Sequence, residues 1–106
     1  MKITFLGTGT SQGVPVIGCE CDVCKSVDDR NSRLRTSILV QIGDKSIVVD
    51  TGPDFRQQML REGVKELEAI VFTHKHKDHL AGLDDIRAYN YLHKRPMDIY
   101  ANKDVE

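Results

Sequence analysis

No run of about 18 apolar residues occurs in this sequence, so it offers no membrane-spanning helix. Its start, Met1-Lys2-Ile3-Thr4-Phe5-Leu6-Gly7, is too short an apolar run for a signal peptide and meets glycine and polar residues at once. The cytoplasm is therefore the expected location. A basic excess is also missing: 15 Lys and Arg stand against 16 Asp and Glu. That balance, with no long run of one sign, argues against a nucleic-acid surface. Cysteine is scarce and odd in number, three in all. A small, odd, closely spaced set fits thiolates on a metal better than a disulfide framework. No internal repeat or low-complexity tract is present. What remains is a chain of 106 residues, 40% hydrophobic and 29% charged, the length and composition of one soluble globular domain.

Histidine is scarce too, and its distribution is the strongest signal. Three of the four histidines fall within six residues, in Thr73-His74-Lys75-His76-Lys77-Asp78-His79-Leu80. On a helix, His74 and His76 would point about 200° apart. At an extended strand end they face the same side. The preceding Glu68-Ala69-Ile70-Val71-Phe72-Thr73 reads as a buried strand, apolar with a β-branched and aromatic centre. His74 and His76 therefore stand where a strand runs out. Asp78 stands where a helix can begin, with Leu80, Leu83 and Ile86 as its apolar stripe. Two imidazoles can hold one metal, and Asp78 with His79 a second. A merely charged loop, with Lys75 and Lys77, is the bland alternative. Imidazole and carboxylate together suit zinc, manganese or iron better than calcium or magnesium.

A second cluster is Gly18-Cys19-Glu20-Cys21-Asp22-Val23-Cys24. Thiolates at this spacing can converge on one tetrahedral zinc if the loop wraps around it. The alternative is three reduced, partly buried thiols. Three ligands leave one position open. His93 is a candidate for it within the chain, and a residue beyond Glu106 is the better one.

The rest of the chain reads as alternating strands and helices. Residues 2–6 form a first strand, followed by the small-residue loop Gly7-Thr8-Gly9-Thr10-Ser11-Gln12-Gly13. That loop lacks the lysine of a phosphate-binding P-loop, and a plain turn is at least as good a reading. Residues 25–35, with Arg30, Arg33 and Arg35, read as a cationic patch for an anionic substrate or, preferably, as a solvated linker. Residues 37–42 and 46–50 are two strands joined by a Gly43-Asp44-Lys45 hairpin. Asp50 is a strand-end carboxylate: a metal ligand, a group that orients a ligand imidazole, or a turn or cap aspartate. Pro53 opens a helix to about Glu62, closed by Gly63. Residues 79–93 form a helix capped by Asp78 or His79. Gly82 inside it is a weak position unless something packs closely there. Residues 97–101 form a further strand, and Asn102 looks like a helix N-cap.

These residues resemble the metallo-β-lactamase fold superfamily. His74-x-His76-x-Asp78-His79 matches its H-x-H-x-D-H motif, Asp50 its strand-end aspartate, and Thr4-Phe5-Leu6-Gly7-Thr8-Gly9-Thr10 its opening strand and glycine loop. The cysteine cluster is similar to that of the carbon–phosphorus lyase accessory phosphodiesterases (PhnP) and their relatives. The resemblance implies an α+β fold, the N-terminal half of an αββα sandwich, with a mixed, largely antiparallel sheet and helices on its outer face. It implies a metal-dependent hydrolase, a phosphodiesterase using hydroxide generated at two zinc or manganese ions. His74 and His76 would hold the first ion, Asp78 and His79 the second. Asp50 would orient a ligand histidine, and Cys19, Cys21 and Cys24 would hold a structural zinc. The substrate would be a small phosphodiester.

Family domains are roughly twice this length and take further ligands from their second half. Residues 1–106 are therefore expected to be the N-terminal portion of one such domain, inactive alone. Its inner sheet face would be bare, to be covered by a partner or a second copy. Two alternatives stay open. One is a non-catalytic zinc-binding or interaction module. The other is a tRNA 3′-processing-type endonuclease, which the neutral charge balance disfavours.

Overall fold

The computed structural model describes residues 1–73, 82–93 and 97–101. Five strands form one sheet in sequence order: β1 Lys2–Gly7, β2 Ser37–Ile42, β3 Lys45–Val49, β4 Ala69–Val71 and β5 Asp98–Tyr100. The first two pairings are antiparallel and the last two parallel. The expected mixed sheet is present, with its pairings evenly divided between the two kinds. The β2–β3 hairpin closes through Gly43-Asp44, with Ile42 opposite Lys45. A shift of register between Phe5 and Gly7 ends β1.

Alternation along the strands sorts side chains onto two faces. Leu6, Leu39, Val48 and Ile70 share one face and are at most 2% exposed. Helix α2, Phe55–Glu62, covers them with Phe55 and Met59. The second cover is a 3-10 turn, Leu83–Ile86, running into helix α3, Arg87–His93. It adds Ile86 and Tyr89 to the same core. The rings of Phe55 and Tyr89 meet edge to face at 6.3 Å. The Tyr89 hydroxyl donates to the Val64 carbonyl at 2.8 Å, and burial pushes its pKa up to about 12.

The opposite face carries Ile3, Phe5, Ile38, Val40, Ile42, Ile47, Val49, Val71 and Tyr100. Phe5 is 69% exposed and Tyr100 59%. This is a strand pattern apolar on both sides, and among the described residues helices cover only one. A contiguous apolar sheet face of this kind is built to be covered.

Two expectations shift. Helix α2 begins at Phe55 rather than Pro53, because the Asp54 carboxylate is turned to Arg35 instead of capping the helix. Gly63 ends it as expected. The helix expected over 79–93 starts within the described residues as a 3-10 turn after Gly82. The Gly82 N–H is taken by the Thr51 carbonyl rather than by a helical partner. Among the described residues no helix is long and apolar enough to cross a membrane.

Candidate metal centre

Strand β3 runs out at Val49, and Asp50 follows with φ 65°, the one positive φ outside glycine among the described residues. Aspartate tolerates this left-handed region better than most residues, and such strain persists where surrounding bonds over-determine it. Here they do. The Asp50 N–H donates to the Val71 carbonyl at 2.8 Å, and its own carbonyl accepts from Ser37 Oγ at 2.8 Å. The side chain is thereby aimed at the end of β4. Thr73 N–H donates to Asp50 Oδ1 at 2.8 Å, and Thr73 Oγ1 donates to Oδ2 at 2.7 Å. Both hydrogen-bond donors of the residue before His74 are held by one carboxylate, on a residue that is 5% exposed.

The same turn receives the chain when it returns. Gly82 N–H donates to the carbonyl of Thr51, which is wholly buried, at 2.9 Å. A Cβ on Gly82 would collide with the Gly52 carbonyl oxygen and with Phe55 Cβ. Close packing therefore explains the glycine. Residues 73 and 82, the two ends of the histidine segment, rest on the single turn 50–52. His74, His76, Asp78 and His79 themselves lie outside the described residues.

The cysteines come together. The sulfurs of Cys19, Cys21 and Cys24 all lie within 4.8 Å of one another. Tetrahedral zinc with bonds of about 2.3 Å sets ligand sulfurs about 3.8 Å apart, so small side-chain rotations suffice. A short helix α1, Asp22–Lys25, makes the convergence possible: Cys21 caps it and its Sγ accepts the Cys24 N–H at 3.4 Å. Val16 N–H donates to Cys24 Sγ at 3.4 Å. The Cys24 N–H, then the Cys19 thiol, bring Cys21 down to about pKa 7. At Cys24 the Val16 N–H pulls the pKa down, but Cys19, burial and Cys21 together raise it. Three sulfurs crowd into a space that favours thiolate at one and resists it at another. A dication resolves that conflict, so the donor set fits zinc. The side chain of His93 is not among those described.

The arginines of residues 25–35 separate into different roles. Arg30 pairs with Asp28 at 2.8 Å on the surface. Arg35 pairs with Asp54 at 3.0 Å, donates from Nε to the Ser11 carbonyl at 2.9 Å, and its carbonyl accepts from Gln58 Nε2. Arg33 donates to Thr8 Oγ1 at 2.8 Å. The preferred reading of a solvated linker therefore fails at Arg35, which ties the linker to α2. Thr73, Gly82 and the Arg35–Asp54 pair were not legible as site-shaping residues, because each acts through a partner distant in sequence.

Comparison with known proteins agrees with this geometry. A family model described as a beta-lactamase superfamily domain matches residues 45–106. An octanoyltransferase of Porphyromonas gingivalis is 47% identical over 99% of this chain, which covers 21% of that protein. A crystal structure of a diphosphatase from the PhnP family superposes with a TM-score of 0.93 at 49% identity, over 97% of this chain and 42% of that one. Zinc-bound PqqB from Methylobacterium extorquens superposes at 0.78 with 26% identity, over 97% of this chain and 38% of that one. The chain thus spans about a fifth to two fifths of the relatives it matches. The strand-end aspartate, the histidine segment it anchors, the mixed sheet and a family match over more than half of the residues carry one conclusion: the chain belongs to the metallo-β-lactamase superfamily.

Proposed function

We propose that this chain carries part of the catalytic centre of a metal-dependent phosphodiesterase. His74 and His76 hold one zinc or manganese ion, Asp78 and His79 a second. Cys19, Cys21 and Cys24 hold a separate structural zinc. When bound, the paired ions activate water near neutral pH and neutralise charge on the phosphoryl group. The observation that carries the reading is the turn 50–52, which fixes Thr73 through Asp50 and Gly82 through Thr51. Asp50 is a positioning residue: it fixes Thr73, the residue before His74. The structural zinc staples the loop that follows the first strand. Phosphorus chemistry is favoured because the diphosphatase from the PhnP family is 49% identical over nearly the whole chain. Octanoyl transfer is not carried over, since this chain covers only 21% of the protein so named.

The test is hydrolysis of bis-p-nitrophenyl phosphate with added Mn²⁺ or Zn²⁺, using the protein at the length its gene encodes. Activity lost on His76→Ala or Asp78→Ala is the expected result. A metal-loaded protein that leaves this diester intact while cleaving a lactam or carboxylic ester would overturn the assignment.

A second reading has its own observation, the bare apolar face around Phe5 and Tyr100. In it the chain is a zinc-binding module whose sheet is covered by a second copy or a partner. Metal content separates the two. One tightly held zinc, indifferent to His74→Ala, supports the module. Two further ions lost on His76→Ala or Asp78→Ala support the hydrolase.

A further inference from the structure

We propose that Cys21 and Cys24 are a redox-active pair as well as zinc ligands. A hydroperoxide converts them to a disulfide, which ends zinc binding at the cluster and frees residues 15–32. The inference rests on the zinc assignment above and adds a modification site to it.

The two sulfurs are within reach of each other. All three cysteines are free, and their sulfurs lie within 4.8 Å of one another. Cys21 is the N-cap of α1 and Cys24 its third residue. Their Cα atoms are therefore about one helical turn apart, roughly 5–6 Å. A disulfide takes about 4.4–6.8 Å between Cα atoms. Cys24 N–H already donates to Cys21 Sγ at 3.4 Å, so side-chain rotation can close the bond. Cys19 and Cys21, with one residue between them, would close a smaller and more strained ring. Cys19 is the thiol left over.

Access orders the pair. Cys21 is exposed and Cys24 half-buried. An oxidant meets Cys21 at the surface, with Cys24 beside it to resolve the product.

The segment around the pair depends on it. Of residues 14–36, none is buried. Neither α1 nor the 3-10 turn Asp29–Asn31 buries a side chain. Ile17 is 97% exposed and Val27 100%. Apolar burial does not hold this excursion in place. Its bonds converge on the cysteines instead: Val16 N–H donates to Cys24 Sγ, Cys19 N–H to the Val16 carbonyl, and Cys24 N–H to Cys21 Sγ. At its base Val14 and Arg33 exchange both backbone hydrogen bonds at 2.8 Å. A segment that owes its order to one ion can lose that order while the core beyond its base stays folded.

Atoms and electrons balance. The Cys21 thiolate attacks one peroxide oxygen and the O–O bond breaks. The alkoxide or hydroxide that leaves takes a proton, and Cys21 becomes a sulfenic acid. The Cys24 thiolate attacks the Cys21 sulfur, the S–S bond forms, and hydroxide leaves and is protonated to water. Two electrons have passed from the sulfurs to the peroxide. Cys19 alone holds zinc poorly, so the ion departs.

The test treats the zinc-loaded protein, at the length its gene encodes, with hydrogen peroxide. A chromophoric chelator reads zinc release. Mass spectrometry reads the tryptic peptide of residues 3–25, which carries all three cysteines. The expected product is that peptide short of two hydrogens, with Cys19 alone open to alkylation. One zinc ion per chain leaves in step with it, and a dithiol with added zinc restores the starting state. Hydrogen exchange at the Val16, Cys19 and Cys24 amides should quicken roughly 10-fold or more, with the β2 and β3 amides unchanged. Zinc retained under peroxide overturns the inference, as does zinc released while Cys21 and Cys24 both stay open to alkylation. A disulfide that leaves the three amides exchanging no faster overturns it too. Cys19→Ser should still form the Cys21–Cys24 disulfide, and failure to do so overturns the pairing. If the reduced wild type binds no zinc at the cluster, the zinc assignment fails. The peptide mass then judges the redox pair alone: the disulfide supports it, and its absence overturns it.

Discussion

Replacing Asp50 by asparagine isolates the charge of the carboxylate that holds Thr73. Asparagine tolerates a positive φ at least as well as aspartate, so the backbone cost at φ 65° cancels. Its Oδ1 can keep the Thr73 N–H, and its Nδ2 can donate to the Thr73 hydroxyl, which is free to rotate. What disappears is charge assistance on two bonds now at 2.8 and 2.7 Å. A hydrogen bond to a charged group contributes about 1.5–3 kcal/mol and a neutral one about 0.5–1.5. Asp50→Asn should therefore cost about 2 kcal/mol. With a urea m-value near 1–1.5 kcal/mol/M for a chain this small, the unfolding midpoint falls by roughly 1.5 M at constant m. Thr73→Val removes the hydroxyl alone. The cycle of the two substitutions should show a coupling of about 1 kcal/mol. Zinc retention at the histidine segment, read by competition with a chromophoric chelator, should weaken about 10- to 100-fold in Asp50→Asn, as for other groups that support metal ligands. Additive substitutions would remove the hydrogen bonds as the link. Full loss of stability with metal affinity untouched would reduce Asp50 to a brace at a strand end and refute its positioning role.

Three further outcomes are expected. Gly82→Ala should destabilise by about 1–3 kcal/mol in urea, since its Cβ overlaps the Gly52 carbonyl and Phe55 Cβ and the core must shift. Cys24→Ser should lower the zinc content by one ion per chain, measured by elemental analysis after dialysis, because two thiolates hold zinc poorly. Stability should also fall in strong alkali. The Tyr89 pKa is raised in the folded state to about 12, so the unfolded chain loses its proton first, near pH 10. The stabilisation is complete below pH 10 and drains as pH rises from about 10 to 12, at up to about 1.4 kcal/mol per pH unit. Urea titrations of wild type and Tyr89→Phe should diverge in that window and run parallel below it.

The fold was legible wherever a local period carried it. Strands at 37–42 and 46–50 announce themselves by β-branched residues around a Gly-Asp turn, and Gly63 marks the helix end it occupies. The close packing that excuses Gly82 was legible as a condition, though its partners were not. What the sequence hid depends on residues far apart in the chain. Asp54 stands at the N-cap of α2, yet its carboxylate serves Arg35, nineteen positions earlier. Arg33 and Arg35 look alike in a charged run, yet Arg35 pairs with Asp54 while Arg33 donates to Thr8. The cysteine spacing allowed a zinc site without showing that a one-turn helix would close it. Asp50 stood at a strand end with three possible uses. The observed bonds to Thr73 give it a partner one residue before the first histidine.

The turn 50–52 also explains why the site and the core cannot be separated. Val48 is wholly buried beneath α2, two residues before Asp50, and Phe55 in the same core is three residues beyond Gly52. Any movement of α2 against the sheet moves the turn. The turn in turn carries Thr73 on one side and Gly82 on the other. Thr73 and Gly82, on either side of the histidine segment, are thus both tied to the packed interior. Close-packed interiors shift between discrete arrangements rather than bending smoothly, so a core defect at Phe55 or Ile70 is felt at the metal ligands. Ile70→Ala should therefore weaken metal retention as well as lower stability. Phe5→Ala, on the uncovered face, should do much less of either. Equal loss of metal affinity in the two variants would show that the histidine segment is positioned by the sheet as a whole and not by the turn.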